Sequence, residues 1–241
     1  MPGVHFIEGM NIHPGGLESR IDELGNEKLV LIPQISYEVC HTWLYISVEH
    51  LIEADKHRSK RVVAWEGGDE HAKKSTLLRE FNSSMQAIVA MAITFESLYS
   101  SLLIRNPLDS ELLDKWKNGK TGISRYAKVA EVIKRSFPVK NEEMKKLRTN
   151  LEELFRFRNM AVHPSSELQD PIIHAELNVG VEPKFARYTA QNAHVLIGIG
   201  INTICELGNR KIKNPRIKEY SEKLMEQFQP SIELWKSHYG G

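Results

Sequence analysis

Arginine, asparagine and histidine stand together near the middle of this chain as Arg158-Asn159-x-x-x-His163. Histidine titrates near neutral pH and serves as either general base or general acid. Arginine stays charged and presents a planar fork to phosphate oxygens. Asparagine can orient either one. The chemistry that suits this trio is proton transfer beside a bound anion.

A helix must carry them. Asn141 reads as its N-cap, with Glu142 and Glu143 at the positive end of the dipole. Met144, Leu147, Leu151, Leu154, Phe155 and Val162 recur at helical spacing and make one apolar face. Arg158 falls on that same face, where a charge needs a partner or a task. Pro164 stops the helix by pushing His163 out of the α region. Glu96 is a candidate partner of Arg158, or else a structural carboxylate near the surface; it lies in an apolar, alanine-rich helix whose second half spans 85–104.

Charge is distributed unevenly. Residues 115–163 hold 13 Lys/Arg against 5 Asp/Glu, a net of +8, whereas residues 1–114 hold 10 against 17, a net of −7. A basic segment that ends at the Arg158/His163 stretch suits an anionic partner, most simply nucleic acid, and equally suits solvated helix faces. Lys145, Lys146, Arg148 and Arg156 are the predicted RNA contacts. The two cysteines, Cys40 and Cys205, lie in apolar helical patterns and read as buried free thiols of a reducing compartment. No signal-peptide pattern and no membrane-length apolar run is read, which gives a cytoplasmic expectation. His5 and His13 have no neighbours at metal-ligand spacing, and no metal or cofactor site is expected.

Along the chain, residues 1–35 form an N-terminal arm, with a loop at Pro14-Gly15-Gly16 and a short strand or packed arm at 29–33. A helical domain is expected over 36–241, with its core at about 36–210. Its helices are placed at 36–58 (capped by Ser36), 70 or 76 to 104, 109–117, 124–136, 141–162, 189 or 192 to 207, and 215–238. The cluster Lys56-His57-Arg58-Ser59-Lys60-Arg61 reads as a basic helix C-terminus. Residues 171–180 suit a short hairpin or a loop laid over the 141–163 helix. Gly198 and Gly200 imply close helix approach, and Pro215 opens the last helix.

A buried alanine-rich helix (Ala87, Ala90, Ala92) running into Phe95-Glu96-Ser97-Leu98, followed by a later helix ending in Arg-Asn-x-x-x-His, resembles the HEPN superfamily. The resemblance covers roughly residues 36–210. It implies an all-α, HEPN-like helical bundle that pairs as a homodimer. It also implies a metal-independent endoribonuclease with a composite Arg/His site at the dimer cleft, acting as a toxin or defence effector with an antitoxin or regulatory protein as partner. Some members keep the fold without the activity, which gives the alternative of a nucleic-acid-binding or dimerisation module. The family places four to six residues between Arg and His. Arg156 with His163 and Arg187 with His194 also satisfy that spacing, but the adjacent Asn159, the apolar-face position and the following proline single out Arg158. In the resemblance Arg158 and His163 are catalytic, Asn159 orients, and Glu96 supports.

Overall fold

The computed structural model describes residues 10–118, 122–163 and 168–240. Its contacts divide the chain into two units, residues 1–39 and 40–241. The first holds one antiparallel hairpin, β1 (Met10–Ile21) paired with β2 (Glu27–Tyr37). Pro14-Gly15-Gly16, expected as a loop, lies inside β1, where the register shifts by a bulge. The turn between the strands is built by Asp22, whose carboxylate accepts from the Leu24 and Asn26 amides, each at 2.9 Å. Gly25 adopts a φ of 82° there, a conformation that favours glycine.

The second unit is all-α apart from a two-residue ladder. Its helices are α1 (Cys40–Glu66), α2 (Glu70–Arg105), α3 (Ser110–Asn118), α4 (Arg125–Ser136), α5 (Asn141–Val162), α6 (Pro183–Arg187), α7 (Ala190–Gly208) and α8 (Pro215–Tyr239), with strands β3 (Ile172–Ile173) and β4 (Gly180–Val181) between α5 and α6. The first helix begins later and ends later than its apolar periodicity suggested. Ser36 belongs to β2, and the helix runs on past the basic cluster to Glu66. Asp69 caps α2 by accepting from the His71 amide at 2.9 Å. Thr189 caps α7 through the Asn192 amide at 3.2 Å.

One apolar core unites these helices. Antiparallel α1 and α2 share the longest contact, α7 and α5 pack on α2, and α8 closes against α1 and α7. Cys40, Leu44, Val48 and Leu51 of α1 meet Ala87, Ile88, Met91 and Phe95 of α2, with Leu151, Leu154 and Phe155 of α5 and Ile197, Ile201 and Ile204 of α7 in the same cluster. Burying a side chain of this size is worth about 1.5–3 kcal/mol. Gly200 permits a close approach of α7 to α2: a Cβ there would stand 2.6 Å from the Met91 sulfur. α2 is long and apolar enough by length and composition alone to cross a membrane, although Glu96 interrupts its apolar run, and its apolar side chains are the centre of this core. Neither cysteine is in a disulfide; Cys40 is fully buried, its thiol donating to the Thr94 carbonyl at 3.2 Å, but Cys205 is only partly buried.

Candidate functional site

Helix α5 is held at its start by Glu143, whose carboxylate accepts from the Lys140 amide at 3.0 Å. The cap residue is therefore Lys140, one position before the predicted Asn141, because an acid three residues in can satisfy the orphan amide from inside the helix. Leu147, Leu151, Leu154, Phe155 and Phe157 bury the inner face. Val162, assigned to that face from sequence, is 43% exposed, because the core ends before the last turn. The helix closes at His163, whose amide donates to the Asn159 carbonyl at 2.9 Å. Pro164, invoked as the stop, lies outside the described residues.

Arg158 continues the Leu147–Leu151–Leu154 row to the point where the core opens. Its Nη1 donates to its neighbour's Asn159 Oδ1 at 3.1 Å. Its Nη2 stands 3.7 Å from Glu96 Oε2, inside ion-pair range but beyond a hydrogen bond. Glu96 accepts a closer contact on its other oxygen, from Arg125 Nε at 3.2 Å. Arg125 in turn lies over the Tyr99 ring, 4.4 Å from its centroid. One half-buried carboxylate on α2 thus sits between guanidinium groups from α4 and α5. Asn159 and His163 are exposed. Arg158 and His163 are separated by roughly 7.5 Å along the helix axis, from the rise of about 1.5 Å per residue.

The four predicted RNA contacts do not share one face. Lys145 and Arg148 line a shallow cavity of about 440 Å³ between α4 and α5. Lys146 lines a different groove, of about 640 Å³, between α5 and α7. Arg156 is engaged by Glu153, with Nε at 2.8 Å, and Lys145 by Glu142 at 3.0 Å. Of the thirteen cations in residues 115–163, Lys115, Arg125, Arg135, Lys145, Arg156 and Arg158 are ion-paired within the chain. The segment's excess charge is therefore partly neutralised on its own surface. The competing pair Arg187 and His194 is separated by its packing: Arg187 Nη1 donates to the Met160 sulfur at 3.4 Å, while His194 packs edge-on against Tyr239.

Sequence reasoning missed a second charged cluster. Arg58 and Arg61, read as a basic helix end, face inward. Arg61 is fully buried and donates to both Glu80 and Glu176; Arg58 also donates to Glu176. Glu80, 1% exposed, accepts from the Ala190 amide at the start of α7 at 3.1 Å. Gln191 Nε2 donates to Glu176 at 2.9 Å. These bonds fasten the 172–182 segment to α1, α2 and α7. The signal was present in the sequence. Positions 40, 44, 47, 51, 54, 58 and 61 continue one heptad seam, so a charge there calls for a partner just as Arg158 does.

His174, 1% exposed, lies in this cluster and accepts from the Glu176 amide through Nδ1 at 3.3 Å. Burial first, then the Arg61 charge, hold its pKa below the usual imidazole value. The Arg58 and Arg61 partners hold Glu176 below the usual carboxylate range. Burial pushes the Tyr188 phenol up to about 12, and its hydroxyl donates to the Phe157 carbonyl at 2.5 Å, tying α5 to the start of α7. Among the described residues no group of three or more His, Cys, Asp or Glu side chains is placed to hold a metal ion. The chain matches no family model, no curated protein and no solved structure.

Proposed function

We propose that the Arg158–Asn159–His163 helix end is the phosphate-handling site of a HEPN-type, metal-independent endoribonuclease that works as a homodimer. The observation that carries this reading is the loose hold on Arg158. It occupies a core row, yet its ion-pair partner Glu96 stands 3.7 Å away and is engaged more closely by Arg125. A phosphate oxygen arriving at this edge can therefore take hydrogen bonds from Arg158 Nη2, which makes no hydrogen bond to a protein group among the described residues.

The reaction balances without a metal. The RNA 2′-oxygen attacks the adjacent phosphorus, one imidazole takes the 2′-hydroxyl proton, and the bond to the 5′-oxygen breaks. A second imidazole protonates that leaving oxygen. The products are a 2′,3′-cyclic phosphate and a 5′-hydroxyl. One chain supplies one exposed His163, so a two-fold pair supplies the acid and the base together. Arg158 offsets the charge on the phosphorane oxygens.

The test is end-labelled RNA incubated with pure protein in EDTA, beside a folded His163→Ala variant and a DNA strand of the same sequence. Cleavage of RNA alone, lost in the variant, supports the reading. Cleavage of DNA, a requirement for Mg²⁺, or full activity in the variant sinks it. A second reading has its own support. Glu96 between Arg125 and Arg158 also serves as a tie among α2, α4 and α5, which suits a non-catalytic RNA-binding or dimerisation module; binding without cleavage would favour it.

A further inference from the structure

The β1–β2 hairpin carries an apolar face that the chain has taken a special measure to keep. Its register opposes Ile12 to Ile35 and Leu17 to Leu31. In β2, Leu29, Leu31 and Ile35 alternate onto one face. In β1, Ile12 and Leu17 are five apart and would fall on opposite faces of a regular strand. The bulge between Pro14 and Gly16 adds one residue and changes the phase, so Ile12, Leu17 and Ile21 all join that face. Gly15 makes the bulge possible, because a Cβ there would meet the Ile32 carbonyl oxygen at 2.6 Å. The six side chains are 38–77% exposed. The charged residues Glu18, Arg20 and Lys28 fall on the other face. On the apolar side the lone charge is Glu27 at the turn end, tied to Ser19 Oγ at 2.5 Å.

We propose that this face is a self-association surface, and that its occupant is the same hairpin face of a second copy of the chain. A two-stranded ribbon is marginally stable alone in water and gains from a covered face. A nucleic acid or an acidic peptide finds no cation among the described residues of this side. A second copy opposes apolar to apolar with no like charges facing, as a two-fold contact requires. The size fits a modest dimer. Eleven paired positions at about 3.3 Å each give a face roughly 36 Å long and about 10 Å wide, so two copies cover about 700 Å², the size of a weak, transient contact rather than an obligate dimer. The association is therefore concentration-dependent, and it holds whether or not the chain cuts RNA.

Sedimentation velocity of the full chain from nanomolar to high-micromolar concentration tests this, with Leu17→Thr/Leu31→Thr as the variant. Threonine keeps strand propensity while removing apolar surface. Arg20→Thr/Lys28→Thr, an opposed pair on the other face, is the control, and unchanged helical circular dichroism confirms folding in both. A dimer weakened about tenfold or more by the leucine pair alone supports the proposal. A dimer indifferent to that pair overturns it, as does a monomer at every concentration. A monomer that instead floats with phosphatidylcholine vesicles overturns it in favour of a membrane-surface role.

Discussion

Arg158 Nη2 lies 3.7 Å from Glu96 Oε2, while the opposite oxygen of the same carboxylate takes Arg125 Nε at 3.2 Å. Glu96 is thus a shared counter-ion, and Arg158 holds the weaker share. Replacing it with an isosteric amide removes the competing anion and leaves the packing in place. Glu96→Gln is expected to tighten RNA binding by a few-fold at low salt. It should cost no more than about 1 kcal/mol of stability, the usual worth of a partly exposed pair. Filter binding at two salt concentrations, with urea unfolding alongside, checks both. Weaker binding in a folded Glu96→Gln protein would mean that Arg158 needs the carboxylate for its position.

The Arg61 cluster makes a contrasting prediction, because it is desolvated. Arg61→Ala leaves Glu80 buried with its charge uncompensated. The expected loss is about 3–5 kcal/mol, as for removal of one partner from a buried pair. Arg58→Ala, at the half-exposed edge of the same cluster, should cost about 1 kcal/mol or less. Urea midpoints with unchanged slopes would report the two losses.

Acid should weaken the same cluster before it reaches the carboxylates. Burial and the nearby Arg61 hold the His174 pKa below the usual 6.5. Below that value the unfolded chain takes a proton that the folded chain refuses, so stability falls as pH drops until the lowered folded pKa is passed. His57, held low chiefly by burial, acts in the same direction. Glu176, held below 4.5 by its arginine partners, adds a further loss at more acid pH. The urea midpoint should decline between neutrality and mildly acid pH, and His174→Gln should flatten part of that decline. An equal decline in the variant would assign the effect to His57 and other groups.

The sequence revealed the elements that carry periodic apolar residues, and it failed where the decisive fact was a partner far away in the chain. The limits of α5 were legible because an apolar row and acidic first turn mark it, and the short 171–180 hairpin was legible from its turn-like composition. The start of α1 was not, since Ser36 is as good a strand residue as a cap. The seam positions of Arg58 and Arg61 marked their inward turn, but not their shared partner, because Glu176 lies more than a hundred residues on. Arg125 was missed as a site residue because it sits at the exposed first turn of α4, and only the fold carries it to Glu96. The bulge at Gly15 was read as a loop, because Pro-Gly-Gly is the same signal for both.

Gly200 tests the core itself. A methyl group there would stand 2.6 Å from the sulfur of Met91, which is fully buried and has no route to solvent. Alanine gains about 1 kcal/mol in helix propensity over glycine, but overpacking of this kind costs about 1–3 kcal/mol. Gly200→Ala is expected to be net destabilising, and Met91→Val should recover much of the loss by vacating the space. A double-mutant cycle in urea measures the coupling. Additive effects would mean that α2 and α7 shift apart rather than clash.

The last prediction separates charge from geometry at the candidate site. Arg158→Lys keeps the positive charge but replaces a planar fork by a point charge. If Arg158 holds phosphate oxygens through two parallel hydrogen bonds, the lysine variant should lose most cleavage while its ion pairing to Glu96 preserves the fold. His163→Ala should lower the rate by about 10²–10⁴, the usual worth of general acid–base catalysis. Arg187→Ala and His194→Ala should leave it nearly intact, since their side chains are engaged by Met160 and Tyr239. Single-turnover kinetics on one labelled RNA measures all four variants. Full activity in Arg158→Lys would reduce Arg158 to an electrostatic contact, and loss of activity in folded His194→Ala would move the site to the other end of the spacing ambiguity.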